Sequence, residues 1–134
     1  MDVEAFLATQ STRLSPTLLI ERCYATAFAA LTGDDNLLAE RLFGYLVLLA
    51  PRDSRAWVGL GTSKERLGEV RAAAGVYGVG AALSSEPCYC WVARARALMR
   101  SGRVLEAEQA FDAAESSCGE ADLSAWVAAQ RRAT

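Results

Sequence analysis

The reactive inventory of this chain of 134 residues is four cysteines, 16 Asp and Glu side chains and no histidine. Thiols at Cys23, Cys88, Cys90 and Cys118 could in principle close two disulfides or bind a soft metal. Cys88 and Cys90 form C-x-C rather than C-x-x-C, however, and there is no histidine to complete a usual zinc set. All four fall in helical stretches, and the N-terminus is acidic at Asp2 and Glu4, without the long apolar run of an export signal. The expectation is therefore reduced thiols in a bacterial cytoplasm, acting as small helix-packing residues. Among the carboxylates, Glu106 and Glu108 belong to the polar side of a helix. With no histidine and no phosphate-binding glycine loop, the sequence predicts no enzyme, no cofactor and no metal site. What remains is the chemistry of recognition, in which apolar side chains bury and arginines make charge-assisted hydrogen bonds.

Those groups need a scaffold, and the spacing of large and small residues supplies one. Trp57 is followed by Gly68, Ala73 and Tyr77, and Trp91, thirty-four residues on, by Gly102, Ala107 and Phe111. One unit back the same ruler falls on Cys23, Ala39, Phe43 and Pro51, and one unit forward on Ala125 beside Trp126. This is the period of the tetratricopeptide repeat, a helix pair that stacks on copies of itself. The types fit the geometry. Trp57 and Trp91 are expected to pack inward, with Gly61 and Ala95 small where the second helix crosses. Gly68 and Gly102 would tolerate a positive φ at the turn, while Phe43, Tyr77 and Phe111 would fill the gap between helices. The fold expected is all-α, a right-handed α-solenoid of three tetratricopeptide repeats plus a C-terminal capping helix.

In chain order, one domain spans 1–134, with an arm over 1–15, repeats over 16–53, 54–87 and 88–120, and the cap over 121–134. Asp2 to Thr9 is a short amphipathic stretch that either caps the first repeat or pairs with another copy, and Gln10 to Ser15 reads as a loop. Ser15 then caps a helix with Pro16 at its first position. Helices follow over about Thr17–Leu31, Leu37–Leu49, Asp53 or Ser54 to Leu67, Val70–Leu83, Cys88–Arg100, Val104–Ser116 and Ala121–Arg132. Gly75, Gly78 and Gly80 are unfavourable inside a helix by about 1 kcal/mol each relative to alanine. Either a neighbouring helix or a ligand or second subunit comes close to them there. The longest apolar run, Leu42 to Ala50, is too short to cross a bilayer, so no stable membrane insertion is expected. With a net charge of −2 and arginines scattered among acids, a nucleic-acid partner is not expected either.

Stacked repeats of this kind expose a concave face, lined by the first helix of each pair, that suits an extended segment of another protein. The ruler places Glu21, Tyr24, Phe28 and Leu31 there in the first repeat, Arg55, Val58, Thr62 and Arg66 in the second, and Tyr89, Val92, Arg96 and Met99 in the third. The first set would bury apolar anchors and the later arginines would hold the backbone or acidic side chains. The competing reading packs Tyr24 and Phe28 against the chain's own N-terminal segment.

The runs Tyr24-Ala-Thr-Ala-Phe28, Asp53 through Gly61 (DSRAWVGLG), Tyr77 through Ala81 (YGVGA), Glu86-Pro87 and Gly102 through Glu108 carry a further resemblance. Over roughly Leu19 to Ser116 the sequence resembles the class II chaperones of bacterial type III secretion, the low-calcium-response H and SycD type. That resemblance implies a cytoplasmic, all-helical protein that holds a hydrophobic translocator in its groove, in pockets for proline and leucine side chains. Tyr24, Phe28 and Tyr89 would line those pockets. Relative to the family the N-terminal arm is shorter, the acidic or polar tail is missing, and Cys88, Cys90 and Trp91 replace more usual aromatic and proline residues. The expected partner is thus a secreted translocator-type client, with the chaperone a monomer or weak homodimer. The alternative is a general repeat adaptor in a secretion or pilus assembly, working through its convex face or end helix.

Overall fold

The computed structural model describes residues 2–11, 15–119 and 121–134, and every described regular element is a helix. They are α1 (Val3–Ser11), α2 (Pro16–Thr32), α3 (Asn36–Leu49), α4 (Ser54–Arg66), α5 (Val70–Leu83), α6 (Pro87–Arg100), α7 (Val104–Ser117) and α8 (Ala121–Ala133). Gln10 and Ser11, read as loop, continue α1, and positions 12–14 of that expected loop lie outside the described residues.

The starts follow from capping chemistry. The Ser15 hydroxyl accepts from the Leu18 amide at 3.3 Å, with Pro16 at a first-turn position that has no N–H to satisfy. Asp35 accepts from Leu38 at 3.3 Å and Asp53 from Arg55 at 3.0 Å. The turns inside the helix pairs repeat one geometry at the period of the sequence. Gly68 and Gly102 lie at φ of 85° and 79°, and Asp34 takes the equivalent place in the first pair at 59°. At each, two amides return to the helix just ended: Glu69 and Gly68 to Lys64 and Glu65, Arg103 and Gly102 to Leu98 and Met99, Asp35 and Asp34 to Ala30 and Leu31. A β-branched side chain is badly strained at positive φ. Gly102→Val should therefore destabilise the fold by about 2 kcal/mol, read as a lowered urea midpoint with an unchanged slope.

Successive helices pack as antiparallel neighbours, and α4 also meets α2 and α6, so the first helices of the pairs form an inner layer. Phe43, Tyr77 and Phe111 are each at most 2% exposed and fill the successive gaps between layers. At Gly59 and Gly61 an added Cβ would land inside the rings of Phe43 and Tyr77. Tyr77 brings a hydroxyl into this core and satisfies it by donating to Glu65 Oε2 at 2.8 Å. Trp57 and Trp91 pack against the core as expected, each half-buried rather than enclosed. Trp57 donates its indole N–H to the Pro51 carbonyl at 2.7 Å, tying the second repeat to the preceding turn. Of the α5 glycines, Gly80 is pressed on Trp57, whereas Gly75 faces open space.

Both ends are closed. Val3 is fully buried and Phe6 and Leu7 pack on the same first-repeat core, so α1 caps that repeat. At the far end Val127 is buried, Trp126 packs at a tilt against Tyr89 with ring centroids 5.5 Å apart, and Arg131 bonds Asp112 and Glu115 on α7. The expectation of four reduced thiols is corrected at one pair. Cys88, at the start of α6, and Cys118, after α7, form a disulfide with Cα atoms 5.5 Å apart. The antiparallel packing of α6 on α7 brings these two ends together, which a count of residues along the chain does not reveal. Cys23 and Cys90 are free and buried; burial raises both pKa values, that of Cys90 to about 11, so neither is a ready nucleophile.

Candidate functional site

The inner layer formed by α2, α4 and α6 carries a groove in two joined compartments. The first, of about 450 Å³, has Phe28 and Leu31 from α2, Val58 from α4 and Tyr89 from α6 as its apolar lining. Arg55, Thr62 and Glu86 supply polar groups around it. The second, of about 520 Å³, shares Val58 and Thr62 and continues along the later turns of α4 and α6 to Arg66, Arg96 and Arg100. No described residue of α1 lines either compartment, so the chain's own N-terminal helix leaves the groove open.

Phe28 is 42% exposed and projects into the first compartment, with its edge against Phe43 at 5.2 Å. Tyr24 does not project there. It is 2% exposed, lies in the layer beneath, and is covered by the Arg55 guanidinium 4.0 Å above its ring. Its hydroxyl sits by the Asp53 carboxylate without making a well-formed hydrogen bond. Burial first, and that carboxylate second, push its pKa far above the usual phenol range. Tyr24 therefore supports the floor, which corrects its expected place on the lining.

Val92 is corrected in the same way. At 2% exposure it belongs to the core with Cys88 and Ala95, and Ala93 next to it faces the second compartment. Arg55 lines the groove but is already committed, to Asp53 at 2.7 Å and Glu21 at 3.1 Å. Arg66 donates to the Leu31 carbonyl at 2.5 Å and lies 3.8 Å from Asp34. Arg96 is exposed and makes no ion pair among the described residues. Met99 is half-buried against the third-repeat core.

Asp53, Glu86, Glu65 and Arg100 also line the groove, beyond the residues the ruler placed there. Arg100 stands thirty-four residues after Arg66, so the period itself was the missed signal. Glu65 holds Arg100 at 2.5 Å while accepting from Tyr77. Asp53 does double duty as the α4 cap and the partner of Arg55. Burial pushes its pKa up, but the hydrogen bonds from Arg55 outweigh that and hold it below the usual value. A depressed folded-state pKa gives stability that is complete above the free value near 3.9 and lost as pH falls through the folded value. Asp53→Asn should thus lower stability by roughly 1 kcal/mol at pH 7, allowing for solvent screening, and the gap from the parent should narrow progressively in urea titrations as the pH falls below the free carboxylate value.

Solved structures with the same arrangement are known. SycD of Yersinia enterocolitica, a type III secretion chaperone in complex with a peptide of the translocator YopD, superposes with a TM-score of 0.73 at 27% identity, over 90% of this chain and 93% of that one. PcrH from Pseudomonas aeruginosa matches with a TM-score of 0.75 at 25% identity, again over 90% and 93%. PcrH in complex with the chaperone binding region of PopD gives 0.72 at 26% identity with the same coverage. This chain has the fold of the type III secretion translocator chaperones. No family model matches the sequence, and no curated protein matches it either.

Proposed function

We propose that this protein is a cytoplasmic chaperone of type III secretion that holds an extended segment of a hydrophobic translocator in its concave groove. SycD and PcrH take a YopD peptide and the chaperone binding region of PopD respectively. The single observation that carries the reading here is the open apolar compartment of Phe28, Leu31, Val58 and Tyr89, beside polar groups able to bond a peptide backbone. Holding is stoichiometric and needs no cofactor or turnover. Occupancy keeps the client's apolar stretches from aggregating or inserting early, and release hands the client to the secretion apparatus. Within the described residues no helix is long and apolar enough to cross a membrane, so any membrane-active step belongs to the client.

A second reading, a repeat adaptor working through its outer face, draws on one observation. A shallow groove of about 690 Å³ runs between α5 and α7, with Val79, Leu83 and Trp91 in its lining. Co-expression with the translocator genes of the same secretion cluster, followed by affinity purification, separates the two. The chaperone reading expects a one-to-one complex that survives Leu83→Ser and is lost on substitution within the inner groove. Loss on Leu83→Ser alone would favour the adaptor.

A further inference from the structure

Two uncommitted charges of opposite sign stand at the ends of the concave face of α6. Arg96 is exposed in the second compartment and makes no ion pair among the described residues. Its compartment carries three arginines, Arg66, Arg96 and Arg100, against one carboxylate, Glu65. That carboxylate is already held by Arg100 and the Tyr77 hydroxyl. At the other end Glu86, the residue preceding α6, is exposed, makes no side-chain capping bond and has no ion-pair partner among the described residues. Asp53 beside it in the lining is neutralised by Arg55. Between the two charges lie the apolar side chains of Tyr89, Val58 and Phe28.

Resting on the chaperone reading, we infer that the groove selects its client by charge order: an acidic side chain at Arg96, a basic one at Glu86 and an apolar anchor between. Ten residues of α-helix separate Glu86 from Arg96, about 15 Å at 1.5 Å per residue. Extended chain advances about 3.3 Å per residue, so the two client charges stand about four to five residues apart. The joined compartments share Val58 and Thr62 and follow α6 from Tyr89 to Arg96, which sets the line the segment takes. A client with like charges at both flanks meets repulsion at one end, which rejects wrong partners more effectively than it adds affinity.

Three twelve-residue probe peptides test this. They share one leucine-valine core and carry Lys and Asp, Lys and Lys, or Asp and Asp at two flanking positions five residues apart. By fluorescence anisotropy at low salt the Lys/Asp peptide should bind about tenfold more tightly than the others, a preference that fades at high salt. Arg96→Glu should transfer the preference to Lys/Lys, and Glu86→Lys should transfer it to Asp/Asp. Both positions are exposed and unpaired, so both variants should retain the parent's circular dichroism. Equal binding of all three peptides, weakened together by Phe28→Asp, would overturn the charge order and leave the groove reading standing. Binding of none of them would overturn both.

Discussion

Gly61→Val should lower the unfolding free energy by about 3 kcal/mol or more, enough to leave a domain of this size poorly folded at 37 °C. Position 61 lies where α4 crosses α5, and an added Cβ there would overlap the Tyr77 ring. The ring has nowhere to go. Tyr77 is 1% exposed, and its hydroxyl is tied to Glu65 at 2.8 Å and lies 3.3 Å from Thr62. The helices must therefore separate, which opens the core on both sides of the second repeat. Gly75→Ala is the matched control, since that position faces open space on the next helix. It should gain up to about 1 kcal/mol from helix propensity. Opposite signs in urea denaturation would show that close approach, rather than glycine as such, decides the sequence at these crossings. Equal effects would contradict it.

Phe28→Ala combined with Val58→Ser should weaken client binding by about 100-fold or more while leaving the helix content intact. Each side chain projects into the first compartment, and removing two buried apolar anchors is worth about 3 kcal/mol in affinity. Phe28 is already 42% exposed without a client, so its loss disturbs the fold far less than its loss disturbs binding. The contrast is Tyr24→Ala, a buried ring beneath Arg55, whose removal should destabilise the protein by about 3 kcal/mol. A binding defect in that variant would therefore follow from unfolding. Leu105→Ala, at a side chain 77% exposed on α7, should leave both properties unchanged. Isothermal titration with the co-purified client segment, alongside thermal melts, distinguishes these cases.

The fold was legible because the repeat writes it three times. Pro16, Gly61, Gly68 and Gly102 each have a local reason that a spacing argument can reach. The site was less so, since a groove depends on rotation about a helix axis. One residue of error exchanges Ala93 for Val92, and a side chain from the next helix can cover its neighbour, as Arg55 covers Tyr24. Asp34 takes the left-handed region that the other two turns fill with glycine, which its short polar side chain tolerates. The Cys88–Cys118 bond depends on which helix ends meet, and the thiols alone hold no record of that.

The most direct test of the concave-groove account is to titrate the isotope-labelled protein with the bound client segment and follow backbone amide shifts by NMR. The account predicts the largest changes at Phe28, Val58, Thr62, Tyr89 and Arg96, with Val79, Leu83 and Leu105 unmoved. Shifts concentrated on Val79, Leu83 and Trp91, with the inner face silent, would contradict it.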